Sequence, residues 1–445
     1  MKPLLLACLL AFPSHPVSRT VVPQAPTRVT EPQDSAKVRR FAQRLMRTIE
    51  EMYPTRQLEY DEAENRIVDR SSGLVIHLEN LYRDYAALGL SERKDWLAAV
   101  ARKLGASEAP MPAFDEVKSA LTPQMWSRSK LEWLQLQNAL RPDAARVAPL
   151  CPRQWALGPH ILGALAVDGD EVIRYVVPEW QQAWNKELTE LAQLAEARVP
   201  GLATGWAIRE SELPGEHKPR LFSLQGDAFF APSHLLDREG LQKLKLAEGS
   251  LASAPSCETL LIVEPGDETL LEAFVAQIIE ANLEGSRLVC PIPLVYQGGT
   301  WQAWTPPADH PQRMAFRNLE CEYLADAYGS QGKALEALLI EKGIDVYVAG
   351  YMLQEDTETG ELTSISVWTR TVPTLMPEAD LIALMDVDLP EDQQFLGMVR
   401  WQDLQKHCGQ LFERNPDRYP VRYHVRGFPD MKALEPYLLE DYRPR

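Results

Sequence analysis

The sequence predicts an α+β protein of two or three modules, in which mixed or antiparallel sheets pack against helices. Three observations predict it. The 445 residues exceed one ordinary domain of about 100–200 residues. Apolar residues at helical spacing are interspersed with short apolar runs bounded by turn residues. These two kinds of segment do not follow the regular strand-helix-strand alternation that builds a parallel sheet. Hydrophobic residues make up 45% of the chain and charged residues 24%, a balance that supports cores inside a soluble protein.

Residues 1–35 stand apart. Leu4 to Phe12 is an unbroken apolar run with the length of a short signal-peptide core, too short to span a bilayer. Phe12, Pro13, His15 and Pro16 occupy the places where a small-residue cleavage site belongs. Cys8 has the surroundings of a lipoprotein box with little apolar run before it. Two readings stand: a cytoplasmic protein, or export through a signal within residues 1–20. Residues 13–35, rich in Pro, Ser and Thr, read as a disordered tether.

From residue 36 to 304 the chain reads as one α+β region, with an internal break near 105–145. Val38, Phe41, Leu45, Ile49 and Met52 share one helical face, closed by Pro54. "RQLEYDEAENRIVDRSSGLVIHLENLYRDYAAL" then reads as short strands leading into a helix, and Trp96, Leu97 and Val100 mark another. Phe114 to Leu140 has helical spacing, broken at Pro123. "GALAVDGDEVIRYVVP" reads as two strands around Asp168-Gly169, and "WQQAWNKELTELAQLAEARV" as one amphipathic helix. "PRLFSLQ" and "ETLLIVEP" are strands, and Asp267 caps the helix "DETLLEAFVAQIIEANL". "RLVCPIPLVYQGGTWQAW" is a hairpin turning at Gly298-Gly299.

Thr305 to Arg313 reads as a linker, and residues 315–445 as a C-terminal α+β module. There, a helix around Leu335–Glu341 leads to a hairpin, "DVYVAGYMLQE" and the strand holding Trp368, joined by "DTETG". "ADLIALMDVD" can pair with that sheet. "WQDLQKHCGQLF" forms an amphipathic helix able to cover the strand face that carries Ser364, Ser366, Trp368 and Arg370. Trp368 and Arg370 are therefore candidate binding residues if that face is open, and packing residues if it is covered.

Blocks in a shared order, "FAQRLMRTIEEMYPTRQLEYDEAENRIV", "GLVIHLENLYRDY", "VIRYVVPEWQQAWNKELTELAQLAEARV", "GDAFFAPSHLL" and "APSCETLLIVEP", carry a resemblance over residues 36–304. The region resembles the YtpQ-like family, a bacterial domain of unknown function, and the C-terminal third lies outside the likeness. The resemblance implies an α+β fold in the cytoplasm and supplies no activity. It also implies an Arg after the Ser of Ser233-His234-Leu235, and an Arg-Asp pair where this chain has Cys257-Glu258. If those arginines bind an anion in relatives, this chain has lost that role.

Charge and cysteines narrow the classes further. The 63 acidic residues outnumber 46 basic ones for a formal net charge of −17, which argues against nucleic acid and anionic membrane as partners. Six cysteines without a C-x-x-C pair fit a reduced compartment and small buried hydrophobes. Gly332-Lys333 lacks both the first glycine and the hydroxyl of a phosphate-binding loop, and reads instead as the entry to the helix that follows. No H-x-x-x-H pair suggests a metal, no G-x-S-x-G a hydrolase elbow, and the acidic clusters at 168–171 and 386–392 lack calcium-loop spacing. No cofactor is expected. The favoured function is a non-catalytic protein-binding or scaffold protein, motivated by Trp301, Trp304, Trp368, Trp401 and Tyr423 on strands. The alternative is a hydrolase or thiol enzyme centred on Asp227, His234 and Cys257, whose residue types suit an acid, a base and a nucleophile.

Overall fold

A computed structural model describes residues 18–21, 32–62, 65–69, 75–105, 111–140, 154–169, 173–202, 205–215, 218–225, 229–284, 287–415 and 418–440. The apolar run Leu4–Phe12 lies outside these described residues. Strand β1 (Ser18–Val21) falls inside the stretch expected to be a disordered tether. Four residues are too few to show a period in sequence. The strand is instead completed by an edge of the C-terminal module.

Helix α1 (Pro32–Met52) buries Val38, Phe41, Leu45 and Ile49, and only Met52, its last residue, turns outward. That face packs on strands β2 (Leu58–Asp61), β3 (Arg66–Asp69) and β4 (Val75–His77), which pair antiparallel. Helices α2 (Leu78–Ala87) and α3 (Arg93–Gly105) complete the cluster with Tyr85, Leu97 and Ala101.

After the single turn α4 (Phe114–Val117), the expected helix gives way to β5 (Leu121–Ser127), followed by α5 (Arg128–Ala139). Six of the seven β5 residues are buried, on both faces, so period 2 never appears in the sequence. Pro123 is tolerated because β5 is an edge strand, where a missing N–H leaves the ladder intact. β5 pairs with β7 (Ile161–Asp168), whose other side carries β6 (Gln154–Ala156) and β8 (Ile173–Tyr175). The next amphipathic stretch is two helices, α6 (Pro178–Trp184) and α7 (Leu188–Arg198). Asn185 ends α6 in the left-handed conformation, at φ 52°, which Asn accepts more readily than most residues.

A six-stranded antiparallel sheet forms the middle of the molecule, in the order β14-β13-β11-β12-β10-β9. Its strands are β9 (Gly205–Glu210), β10 (Arg220–Gln225), β11 (Leu251–Ser256), β12 (Thr259–Val263), β13 (Leu288–Gln297) and β14 (Thr300–Ala303). Between β10 and β11 lie a 3-10 turn at Ala231–Leu236 and helix α8 (Arg238–Leu244). Helix α9 (Glu268–Glu284) covers one face through Leu270, Phe274, Val275 and Ile278. Asp267 caps it, its Oδ1 accepting from Thr269 N at 2.8 Å and Leu270 N at 3.2 Å. The other face, with Phe222, Ala254 and Ile262, packs on Met125 of β5 and on Ala231 and Leu235. Gly298 and Gly299, both at positive φ, make the β13–β14 turn.

Helix α10 (Arg313–Glu341) begins at the end of the linker and runs through Gly329 and Gly332, so the Gly-Ser-Gln-Gly stretch is helix interior and not a helix entry. The remaining strands are β15 (Tyr347–Val348), β16 (Met352–Asp356), β17 (Leu362–Thr369), β18 (Thr374–Pro377), β19 (Leu381–Met385), β20 (Phe395–Arg400), β21 (Phe412–Asn415) and β22 (Arg422–Val425). They form two sheets, β1-β16-β17-β19-β20 and β15-β18-β22-β21. β17 and β19 are parallel, while β1 joins β16 antiparallel with Ser18 opposite Asp356 and Val21 opposite Leu353. Helix α11 (Trp401–Cys408) and the turn α12 (Met431–Leu434) add to the core between these sheets.

Hydrogen bonds tie α10 and the C-terminal strands to the β5–β7 region. Tyr323 OH lies 2.9 Å from Ser127 Oγ, Gln331 donates to Ser129 O at 3.0 Å, and Arg418 pairs with Glu132 at 2.6 Å. The described residues therefore make an α+β fold whose N-terminal and C-terminal sheets meet across one long helix.

Candidate functional site

Cys257 sits in the tight turn from β11 to β12, and its backbone N–H donates to Arg287 O at 2.9 Å. The side chain is buried. In sequence Cys257 has no flanking cation, yet the fold brings Lys130 and Arg287 toward it from distant parts of the chain. Burial still wins: it pushes the thiol up to about 11, against the opposing pull of Arg287 and Lys130, so the group is protonated at neutral pH. Arg287 is itself held by Glu258 at 3.4 Å and Asp84 at 3.7 Å, with its guanidinium 4.4 Å above the Phe229 ring.

His234 belongs to a different constellation. It is buried in the 3-10 turn that precedes α8, its Nδ1 lying 3.6 Å from Asp237 Oδ2. Asp237 is occupied as the N-cap of α8, where Oδ1 accepts from Gly240 N at 2.8 Å. Burial lowers the His234 pKa, and Asp237 opposes that shift without reversing it. The neighbouring Ser233 hydroxyl is spent on Pro123 O, 2.7 Å away. Ser233 thus fastens the turn to β5, and His234 faces the cap of α8, a structural use of both side chains. Asp227 lies outside the described residues. The structure thus sets His234 beside Asp237, and Cys257 beside Arg287.

Lys130 is the residue that sequence reasoning missed. It stands in the first turn of α5, where its N–H donates to Ser127 Oγ at 3.4 Å. Its side chain is exposed, yet surrounding protein desolvates the ammonium and lowers its pKa, with Arg287 adding repulsion and Cys257 opposing. Tyr175 is part of the same surroundings: its phenol feels Cys257 and Arg287, donates to Gln124 Oε1, and meets the edge of Trp126 at 4.8 Å. No local motif marks this group, because its members come from β5, α5, β8, the β11–β12 turn and the start of β13. Among the described residues, no group of three His, Cys, Asp or Glu side chains is placed to hold a metal ion.

The face carrying Trp368 is covered. Trp368 is 0% exposed, with Phe412 at 5.1 Å and Phe428 at 5.4 Å between ring centres. The segment "WQDLQKHCGQLF" does form helix α11, and its Leu404 and Cys408 belong to the same buried core as Trp368. Arg370 closes the edge, its guanidinium 4.9 Å above Phe428 and 3.1 Å from Asp386.

The opposite situation holds at β9, the outermost strand of the central sheet. Gly205, Ala207, Ile208, Arg209 and Glu210 are all exposed, and Ile208 keeps 51% of its surface in solvent. Trp206 anchors the strand against Phe222, ring centres 6.1 Å apart. No protein-family model, curated protein or solved structure matches the chain.

Proposed function

We propose that this chain is a non-catalytic binding or scaffold protein, a YtpQ-like bacterial protein of the cytoplasm, that takes up an extended segment of a protein partner along β9. The observation that carries this reading is the open edge itself. Among the described residues no strand pairs with the outer side of β9, and an unpaired row of backbone donors and acceptors is a template for strand addition that soluble proteins normally blunt. The exposed Ile208 supplies an apolar contact beside Arg209 and Glu210, which supply charge for register. The net charge of −17 favours a protein partner over nucleic acid or anionic lipid. No helix among the described residues is long and apolar enough to cross a membrane.

The protonated state of Cys257 and the engagement of His234 with a helix cap favour binding over thiol or hydrolytic chemistry. The test is a pull-down from cells at native expression and physiological salt, comparing wild type with Ile208→Lys and with Leu90→Lys, an exposed apolar residue far along the chain. Loss of a partner from Ile208→Lys alone is expected. Recovery of the same proteins from all three would overturn the β9 reading.

A further inference from the structure

We infer that the outer edge of β20 is a second peptide-acceptor site, which takes an extended protein segment carrying an aromatic residue followed by two leucines, and that the chain's own C-terminal tail occupies it as a displaceable strap. This site is separate from β9 and does not depend on that reading.

The seats are visible because the tail fills them. β20 is the last strand of its sheet, with β19 on one side. On its other side Leu438 forms an antiparallel bridge with Val399, and the Leu439 N–H donates to Met398 O at 2.9 Å. Gly397, at φ 130°, makes room for the Leu438 side chain, because a Cβ there would lie 2.9 Å from Leu438 Cδ2. Leu439 packs against the buried cluster of Ile365, Ala383 and Met398. Just before the two leucines, the Tyr437 ring stacks on His407 of α11, centres 4.1 Å apart and planes 29° from parallel. The ring and the two leucines thus have separate places. The opposite edge of this sheet is covered in a similar way, by β1 on β16, so both edges accept segments from outside the sheet.

The tail holds its places loosely. Among the described residues it bridges one of the six positions of β20. Tyr437, Leu438 and Leu439 are only half-buried, while Glu435, Pro436 and Glu440 are exposed. His407 Nε2 is left buried with no hydrogen-bond partner, which weakens the fit further. A segment with so little strand pairing and so much open surface detaches at low free energy. A partner strand that pairs along Phe395–Arg400 makes backbone bonds that the tail does not, and its ring and leucines reuse the same seats.

A fluorescein-labelled peptide of residues 431–440 is titrated into the full chain and followed by anisotropy, and hydrogen exchange is measured on the same proteins. In wild type the amides of residues 435–440 are expected to exchange faster than those of β19, and the peptide to bind weakly. Leu438→Asp unseats the tail, and with β19 still protected it should bind the peptide about ten-fold more tightly, since its own tail no longer competes. The same peptide carrying Leu439→Pro lacks the N–H that Met398 O accepts and should bind neither protein, an arm that alters no residue of the fold. Equal affinity of wild type and Leu438→Asp, absence of binding to both, or tail amides as slow as those of β19 would overturn the inference. So would a wild-type dimer in light scattering that Leu438→Asp dissociates, which assigns the place to a second copy.

Discussion

The Nδ1 nitrogen of His160 lies 2.5 Å from the hydroxyl of Tyr419, joining the start of β7 to the loop before β22. Tyr323 on α10 meets the same imidazole edge to face at 5.8 Å, and Arg128 stacks 4.8 Å above the Tyr419 ring. Burial raises the Tyr419 pKa well above the ordinary value, so the phenol keeps its proton while sharing a hydrogen bond with His160 Nδ1.

That pairing predicts an acid-labile junction. Burial, helped by Arg128, lowers the His160 pKa from 6.5 to about 4. The folded ring therefore stays neutral where the unfolded ring takes up a proton. Its contribution is complete above the unfolded pKa and drains away as pH falls toward the folded one. At about 1.4 kcal/mol per pH unit, the loss is at most about 3.5 kcal/mol. Urea unfolding measured between about pH 7 and about pH 5 should show a falling stability that His160→Gln flattens. An acid limb of unchanged slope in the variant would remove His160 as its source.

Trp368 provides a second test, now of packing. Its ring is fully buried against Phe412 and Phe428, in the core that Leu404 and Cys408 share, so Trp368→Ala is expected to cost about 3–5 kcal/mol. Trp368→Phe should cost less, because it also removes an indole N–H that has no hydrogen-bond partner in this core. Arg370→Ala should change stability by about 1 kcal/mol or less, since its pair with Asp386 is partly exposed. Denaturant midpoints check all three. A Trp368→Ala variant as stable as wild type would contradict the covered face.

These comparisons also locate where sequence reading works. It succeeds where local chemistry dictates the outcome: Asp267 caps α9, Gly298-Gly299 turns β13 into β14, and Val38, Phe41, Leu45 and Ile49 line one helix face. It fails where burial erases the period, as in β5, where Leu121 and Thr122 are both enclosed. It fails again where one residue overrides a pattern, as Asn185 does between α6 and α7. Glycine misleads too, since Gly329 and Gly332 sit inside α10, held by the packing of Tyr328, Ala334 and Leu335. Of the proposed sites, Cys257 and Trp368 are visible as residue types in the chain. The setting of Cys257 is not, because Arg287 reaches it through space.

Arg422 raises the last prediction. Its side chain is fully buried on β22, stacked 4.8 Å above Tyr328 and donating to Tyr328 O at 3.1 Å and Ala349 O at 3.5 Å. No carboxylate pairs with it among the described residues, and its Nε lacks a partner. Burial lowers its pKa to about 10, so it still carries a charge at neutral pH whose hydration only carbonyl groups and a ring replace. Such a charge specifies geometry more than it stabilises. Arg422→Met keeps the length and fills the space, and is expected to fall within about 2 kcal/mol of wild type, on either side. Arg422→Ala leaves a cavity and should cost about 2–5 kcal/mol. Thermal and denaturant unfolding of the two variants separates the effects. If Met proves as damaging as Ala, the guanidinium's own hydrogen bonds, and not the volume it fills, hold β22 against α10.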